Sequence, residues 1–435
     1  MVARNLDRGS GILRPTLDTG PHPNLFLVEP PIYASMAVGM RRLTGLRLEP
    51  AGRLVSALWT TLGAWGLHGL VRRREGPVAA IAGASAFATF PIMIRYGRAF
   101  QPDAAMLGAL LAGLRCWDDG RKAAGWTLVT LGLALKITMS PALIPFLFLT
   151  QFRPRKLAVA ASMLAPALLW YAEVYAVLST ASASRAAADG ARLWRGALDV
   201  SALWKPGAAS LYGRYLFVRS FTPLGIGLAV VGLARGADRL WWIWLGSASA
   251  MMAGLAGKLH HEYYWLALAP VAAAGVGRAV AGFWRYRGWA VVLSASLAGL
   301  GLYQSRGTWV APAEWSGLTA AAAEITRLVP EGAPLVAPEA MLYAADRRGC
   351  RLEWAPGAVA RAAGEWGEAV EDDPRALIEV YRRRGARYAA DLTVDEPRRR
   401  LVAPYLRRHH RVLVDDGRLI LAELLAPEAH DDARR

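Results

Sequence analysis

Residues 103–136 read DAAMLGALLAGLRCWDDGRKAAGWTLVTLGLALK, and this stretch decides what kind of fold the chain can have. Two apolar runs, 103–118 and 122–136, meet at a short connection holding Arg115, Asp118, Asp119, Arg121 and Lys122. Asp103 and Lys136 stand at their other ends. Charge confined to the ends of apolar runs is the pattern of helices that cross a bilayer, whose hydrocarbon core of about 30 Å takes about 20 helical residues.

Working outward, similar runs recur at 53–71, 76–96, 138–151, 156–178, 221–236, 239–257, 262–283 and 287–303, which makes ten in all. The expected fold class is therefore an α-helical polytopic membrane protein of about ten transmembrane helices. Short connections rich in basic residues alternate along it: Arg72 to Arg74, then Arg115, Arg121 and Lys122, then Arg153, Arg155 and Lys156, then Arg235 and Arg239, then Arg285 and Arg287. The excess of Lys and Arg on the cytoplasmic side of membrane proteins assigns these ends inward. The connections at Arg98 to Asp103, Lys136 to Pro141, Ser179 to Ser220 and Lys258 to Glu262 then face outward, as do residues 1–52 and the C-terminal region.

Composition agrees. Of 435 residues, 54% are hydrophobic and 20% charged, with 17 Trp, which excludes a disordered chain. Residues 1–303 carry 31 basic and 13 acidic residues, and 304–435 carry 20 and 21. The net charge of +17 thus lies among the apolar runs rather than on one polar face, and no nucleic-acid partner is expected. Cys116 and Cys350 are too few and too far apart for a disulfide framework or a zinc site.

From about Tyr303 the apolar runs shorten to strand length. Pro334 to Ala337, Arg387 to Leu392 and Arg411 to Leu425 alternate with the amphipathic stretch Asp373 to Arg384, which predicts a small α/β domain. Asp416-Gly417 between two apolar triplets signals a hairpin. The expected domains are 1–52, an outward-facing segment with a membrane-surface helix; 53–303, transmembrane; and 304–435, an outward-facing α/β domain ending in a disordered tail from Pro427. No repeat of fixed period is visible. An outward segment of some 50 residues with no apolar leader leads to the expectation of a helix upstream of Met1; the alternative is one miscounted span and a cytoplasmic N-terminus.

The outward ends hold the chemistry. Arg95, Arg98 and Asp103 lie in Arg-Tyr-Gly-Arg-Ala-Phe-Gln-Pro-Asp, Lys136 follows an apolar run, and Lys258, His260, His261, Glu262, Tyr263 and Tyr264 form a third group. Glu29 precedes Pro30-Pro31-Ile32-Tyr33. Basic residues on the side opposite to that favoured by the positive-inside rule point to an anionic ligand such as a phosphate, held by Arg98 and Lys136. The alternative is side chains that snorkel to the headgroup level. Asp103 is either a functional carboxylate or a first-turn acidic residue favoured by the helix dipole. His260 and His261 could take a metal, accept a proton, or join Tyr263 and Tyr264 in an aromatic belt. Trp194, Trp204 and Tyr212 either stack on sugar faces or, the preferred reading, lie on the membrane surface. Asp118-Asp119-Gly120 reads as a turn.

Taken together, Ala3-Arg4-Asn5, Leu25 to Tyr33, Arg53-Leu54-Val55-Ser56, Gly97-Arg98 with Pro102-Asp103, Leu133 to Lys136 and His260 to Tyr264 resemble the polytopic lipid-linked glycosyltransferases of the protein mannosyltransferase and aminoarabinose transferase type, the GT-C class. The resemblance covers about residues 3–282. It implies inverting transfer of a sugar from a polyprenyl-phosphate donor to a lipid, protein or glycan acceptor at the outer face of the plasma (inner) membrane. Asp103 matches the family's second acidic position and is the catalytic candidate, with Lys136, Arg98 and Arg95 on the donor phosphate. Glu29, Tyr33, His260, His261 and Tyr263 become acceptor or substrate candidates. Some members use a divalent metal and others none, so no cofactor is assigned; Glu29 with His260 or His261 is the one combination that suggests a metal.

The chain departs from the pattern at its start. The family's principal catalytic Asp lies upstream of Ala-Arg-Asn, where this sequence has only Met1 and Val2, and neither Asp7 nor Asp18 sits in its position. A catalytically inactive relative is therefore one rival reading. A transporter or flippase of a lipid-linked or anionic substrate is the other, and would show midplane charges and two related halves.

Overall fold

The long apolar runs are rich in Ala and Leu, the residues that form helix most readily, and each of the ten expected stretches is helical over most of its length. The computed structural model describes residues 1–180, 199–310, 312–393 and 397–425. It divides into two compact units, one of residues 29–177 and 199–310, the other containing residues 1–28, 312–393 and 397–425.

In the first unit, three helical segments among the described residues are long and apolar enough individually to cross a membrane: Leu48–Glu75, Arg155–Val177 and Glu262–Gly282. Ala208–Ser220 and Pro223–Ala234, bent by 90°, satisfy the same criterion as a pair. The other expected spans are shorter or interrupted. Pro91 starts a new helix at Pro91–Tyr96 and so ends Pro77–Thr89, because its fixed φ and missing N–H suit a first turn best. Thr222 breaks the chain before Pro223, with its hydroxyl accepting from the Gly225 amide at 3.0 Å as an N-cap.

Small residues let these helices touch backbone to backbone. Gly108, in the second turn of Asp103–Asp118, faces Leu48–Glu75 so closely that a Cβ would overlap the carbonyl oxygen of Trp59. Asp118-Asp119-Gly120 is a turn, as expected. Asp118 pairs with Arg74 at 3.0 Å and Asp119 with Arg115 at 2.6 Å, while Gly120 takes a φ of +83°.

The second unit holds a five-stranded sheet in the order β2-β1-β3-β5-β4, with β1 Leu335–Ala337, β2 Gly349–Arg351, β3 Tyr388–Leu392, β4 Arg411–Asp415 and β5 Leu419–Glu423. β1 runs parallel to β2 and β3, and β5 is antiparallel to β3 and β4. The β4–β5 hairpin turns at Asp416-Gly417, where Asp416 Oδ1 accepts from the amides of Arg418 and Leu419, each at 2.8 Å. Pro374–Arg383 is the amphipathic helix expected from the sequence.

Residues 1–28 cluster with this sheet. Gly349 exchanges backbone hydrogen bonds with Asp18 and Gly20, and Arg4 pairs with buried Asp18 at 2.6 Å and with Asp346 at 2.8 Å. Trp194 and the tail from Pro427 lie outside the described residues. Cys116 and Cys350 are both free thiols.

Candidate functional site

The helix Lys122–Leu135 ends on Lys136, whose extended backbone (φ −158°) leaves the helical path. Its ammonium therefore sits where helix carbonyls favour a cation. Asp103 opens the helix Asp103–Asp118 directly after Pro102. The two meet: Lys136 Nζ donates to Asp103 Oδ1 at 2.7 Å, and both side chains are buried.

Glu29 completes the group from the segment before the helix Ile32–Thr44, its Oε1 3.4 Å from Lys136 Nζ. The Tyr263 ring lies 4.2 Å from the same ammonium and the Tyr264 ring 5.7 Å, cation–π contacts that hold it on its remaining side. Two carboxylates thus share one cation. Burial pushes the Glu29 carboxyl above its ordinary value; Lys136 opposes the shift and the charge of Asp103 adds to it.

A second group adjoins through aromatic rings. Tyr96 packs edge-on to Tyr263 at 6.2 Å and its hydroxyl lies 3.5 Å from Glu262 Oε2. Glu262 also binds Arg95 at 2.7 Å and, through Oε1, the guanidinium of Arg219. Across both groups three cations, Lys136, Arg95 and Arg219, balance three carboxylates, Glu29, Asp103 and Glu262.

The other expected site residues are engaged elsewhere. Arg98 donates to the Thr308 carbonyl at 2.8 Å and stacks over Trp309 at 4.6 Å. The Tyr33 hydroxyl donates to the Gly52 carbonyl at 2.7 Å and lies 2.6 Å from Ser56 Oγ, so it ties two helices together. His261 stacks on Tyr263, with centroids 5.3 Å apart and planes 11° apart, while His260 is exposed and directs Nδ1 at the Gly257 carbonyl. Burial, with His260 and Lys258 beside it, pushes the His261 imidazole down to about 4. Tyr212 leans on Trp265 at 5.9 Å, and Trp204 is exposed.

Among the described residues no three His, Cys, Asp or Glu side chains stand together as metal ligands. Between Glu29 and Asp103, where a cation would sit, the Lys136 ammonium is already in place. The donor set does not fit a metal there. Arg219 was not foreseen: it lies in a long connection beside other arginines, and nothing in its spacing signals a carboxylate partner at Glu262.

The residues of the first group from Glu29 to Lys136 fall within one stretch of the chain that resembles a known family. Residues 28–181 match the dolichyl-phosphate-mannose-protein mannosyltransferase family. No curated protein sequence matches the chain. Among solved structures, ArnT from Cupriavidus metallidurans bound to undecaprenyl phosphate superposes with a TM-score of 0.62 at 15% identity, over 98% of this chain and 92% of that one. The chain shares the fold of that structure. The archaeal oligosaccharyltransferase AglB from Archaeoglobus fulgidus, in complex with an inhibitory peptide and a dolichol-phosphate, has the same fold at a TM-score of 0.52 and 13% identity, over 90% and 64% of the two chains. Arabinofuranosyltransferase AftD from Mycobacteria follows at 0.54 and 16%, over 91% and 37%.

Proposed function

We propose that the protein is an integral-membrane glycosyltransferase that moves a sugar from a polyprenyl-phosphate donor to an acceptor at the outer face of the membrane. The observation that carries this reading is the buried Asp103–Lys136 pair, with Glu29 beside it, inside the segment that matches the mannosyltransferase family. The undecaprenyl phosphate bound to ArnT and the dolichol-phosphate bound to AglB support the donor class. About ten crossings, with the Asp103 and Lys136 ends outward, complete the reading.

In this mechanism Lys136 holds an oxygen of the donor phosphate and Asp103 accepts the proton of the acceptor hydroxyl. The bond from the sugar anomeric carbon to the phosphate oxygen breaks as the bond to the acceptor oxygen forms, and the configuration inverts. Phosphate leaves as a stabilised anion, so one base and one cation suffice, without the second carboxylic acid that glycosidases need. Arg95 and Arg219 lie next to this group and supply positive charge if Glu262 turns away; Arg98 would first have to release Thr308.

The test is transfer in proteoliposomes that contain the full chain and a panel of polyprenyl-phosphate sugars, with liberation of polyprenyl phosphate as the readout. Liberation that needs both Lys136 and Asp103 supports the reading. Donors that bind without any bond cleavage across the panel would favour a non-catalytic relative.

A further inference from the structure

At the opposite end of the Lys122–Leu135 helix, about 21 Å from Lys136 at 1.5 Å per residue, an open-mouthed cavity of about 490 Å³ is lined by Lys122, Arg153, Arg155 and Lys156, with Thr150 and Gln151 beside them. Among the described residues no Asp or Glu lines it. Neither Arg153 nor Arg155 forms an ion pair with any described residue. Lys156 is only 7% exposed, and its Nζ donates to the carbonyls of Leu147 and Thr150 at 2.9 and 3.3 Å. Lys122 donates to the Trp117 carbonyl at 2.7 Å and lies over the Trp117 ring at 4.7 Å.

These contacts satisfy hydrogen bonds without neutralising charge. Arg155 and Lys156 also occupy the first turn of the helix Arg155–Thr180, where the dipole favours anions and opposes cations. Four like charges around one cavity, one of them buried, are unfavourable for the bare protein. An anion in the cavity removes the cost. Exposed Phe148, Phe152 and Leu157 flank this end of the chain, with the two Phe rings stacked at 5.9 Å. An occupant that pairs negative charge with acyl chains meets both features.

We propose that this cavity binds the phosphodiester headgroup of an anionic phospholipid. Basic pockets between membrane helices suit such headgroups because each cation adds to the attraction near the surface. Thr150 and Gln151 supply neutral polar groups for the glycerol oxygens, and the Phe148–Phe152 pair covers the upper part of the acyl chains. The proposal stands apart from the donor site and does not rest on the transferase reading.

The test uses the full chain in detergent, with native mass spectrometry for retained lipid and tryptophan fluorescence for thermal unfolding. Phosphatidylglycerol is expected to raise the unfolding midpoint and remain bound, whereas phosphatidylcholine is not. The Arg153→Gln/Arg155→Gln variant changes two exposed side chains, so its fold is not at risk. It should weaken phosphatidylglycerol binding by about fivefold for each cation removed. Lys156→Met should lose the response too, and Lys156→Arg should keep it. Equal stabilisation by inorganic phosphate would show a simple anion site and overturn the lipid assignment. A full phosphatidylglycerol response in the double variant, or equal loss in Arg285→Gln, would show diffuse surface attraction and overturn it as well.

Discussion

Lys136 Nζ stands 2.7 Å from Asp103 Oδ1 and 3.4 Å from Glu29 Oε1, so one ammonium answers two carboxylates from three separate segments of chain. Burial makes this arrangement consequential, because the Lys136 and Asp103 side chains are only 8% and 4% exposed. A phosphate that binds Lys136 must displace or neutralise one of these partners.

Asp103→Asn keeps the shape of the side chain and an oxygen for Lys136 but removes the base. Transfer is expected to fall by at least tenfold, about 1.4 kcal/mol in barrier, with protein level unchanged. Lys136→Ala should lose at least as much and should also destabilise, since it leaves two carboxylates without their cation. Initial rates with the best donor of the panel, beside expression level, check both; wild-type rates would remove the pair from the site.

Glu29 is expected to set the pH dependence of donor binding. Its raised pKa means that the carboxyl gains its proton as pH falls through the shifted value, at a higher pH than an ordinary Glu would. Neutral Glu29 no longer competes for Lys136, so donor affinity should rise as pH falls. Glu29→Gln should bind at every pH as the wild type does in acid. A wild-type affinity that is flat with pH, measured by donor titration at several pH values, contradicts this.

The imidazole of His261, with a pKa of about 4 against an ordinary 6.5, stays neutral in the native protein at neutral pH. The unfolded chain binds its proton first as pH falls, so this residue contributes stability above 6.5 that is lost progressively between 6.5 and 4. His261→Phe keeps the ring stacked on Tyr263 and removes the titration. The variant should therefore lose less of its unfolding midpoint than the wild type over that range, and parallel curves would exclude His261 as the source.

In the sheet unit, Arg399 and Asp391 form an ion pair with both side chains 2% exposed, and Trp354 covers the guanidinium at 4.1 Å. Arg399→Met removes the cation from a buried ion pair and should destabilise by about 3–5 kcal/mol. Adding Asp391→Leu should restore part of the loss. Thermal unfolding of the three proteins tests this, and a double variant no more stable than Arg399→Met would refute it.

Much of this architecture is legible in the chain because its signals are local. Ten apolar runs bounded by charge became helices, and Asp416-Gly417 became a hairpin turn. β2 escaped notice since three residues, Gly349 to Arg351, are too few to show an alternating pattern; its place depends on pairing with β1. The same limit applies to the site. Asp103 and Lys136 stand out as charges at the ends of apolar runs, but their mutual contact, the turn of Arg98 toward Thr308 and the bridge from Glu262 to Arg219 are decided by tertiary packing. Tyr33 shows the converse: a residue with the look of a substrate contact spends its hydroxyl on holding helices in register.

Gly108 lies little more than one helical turn from Asp103, pressed against the carbonyl of Trp59. The reach of a carboxylate to its ammonium is thus calibrated by a methyl group that is missing elsewhere on the same rod. Alanine at this position would push the Asp103–Asp118 helix away from Leu48–Glu75 and toward Lys122–Leu135, and so change the Asp103–Lys136 separation without altering either charge. The distance at the centre of the proposed chemistry is in that sense a property of the helix seam, and a change silent in every charge count could detune it.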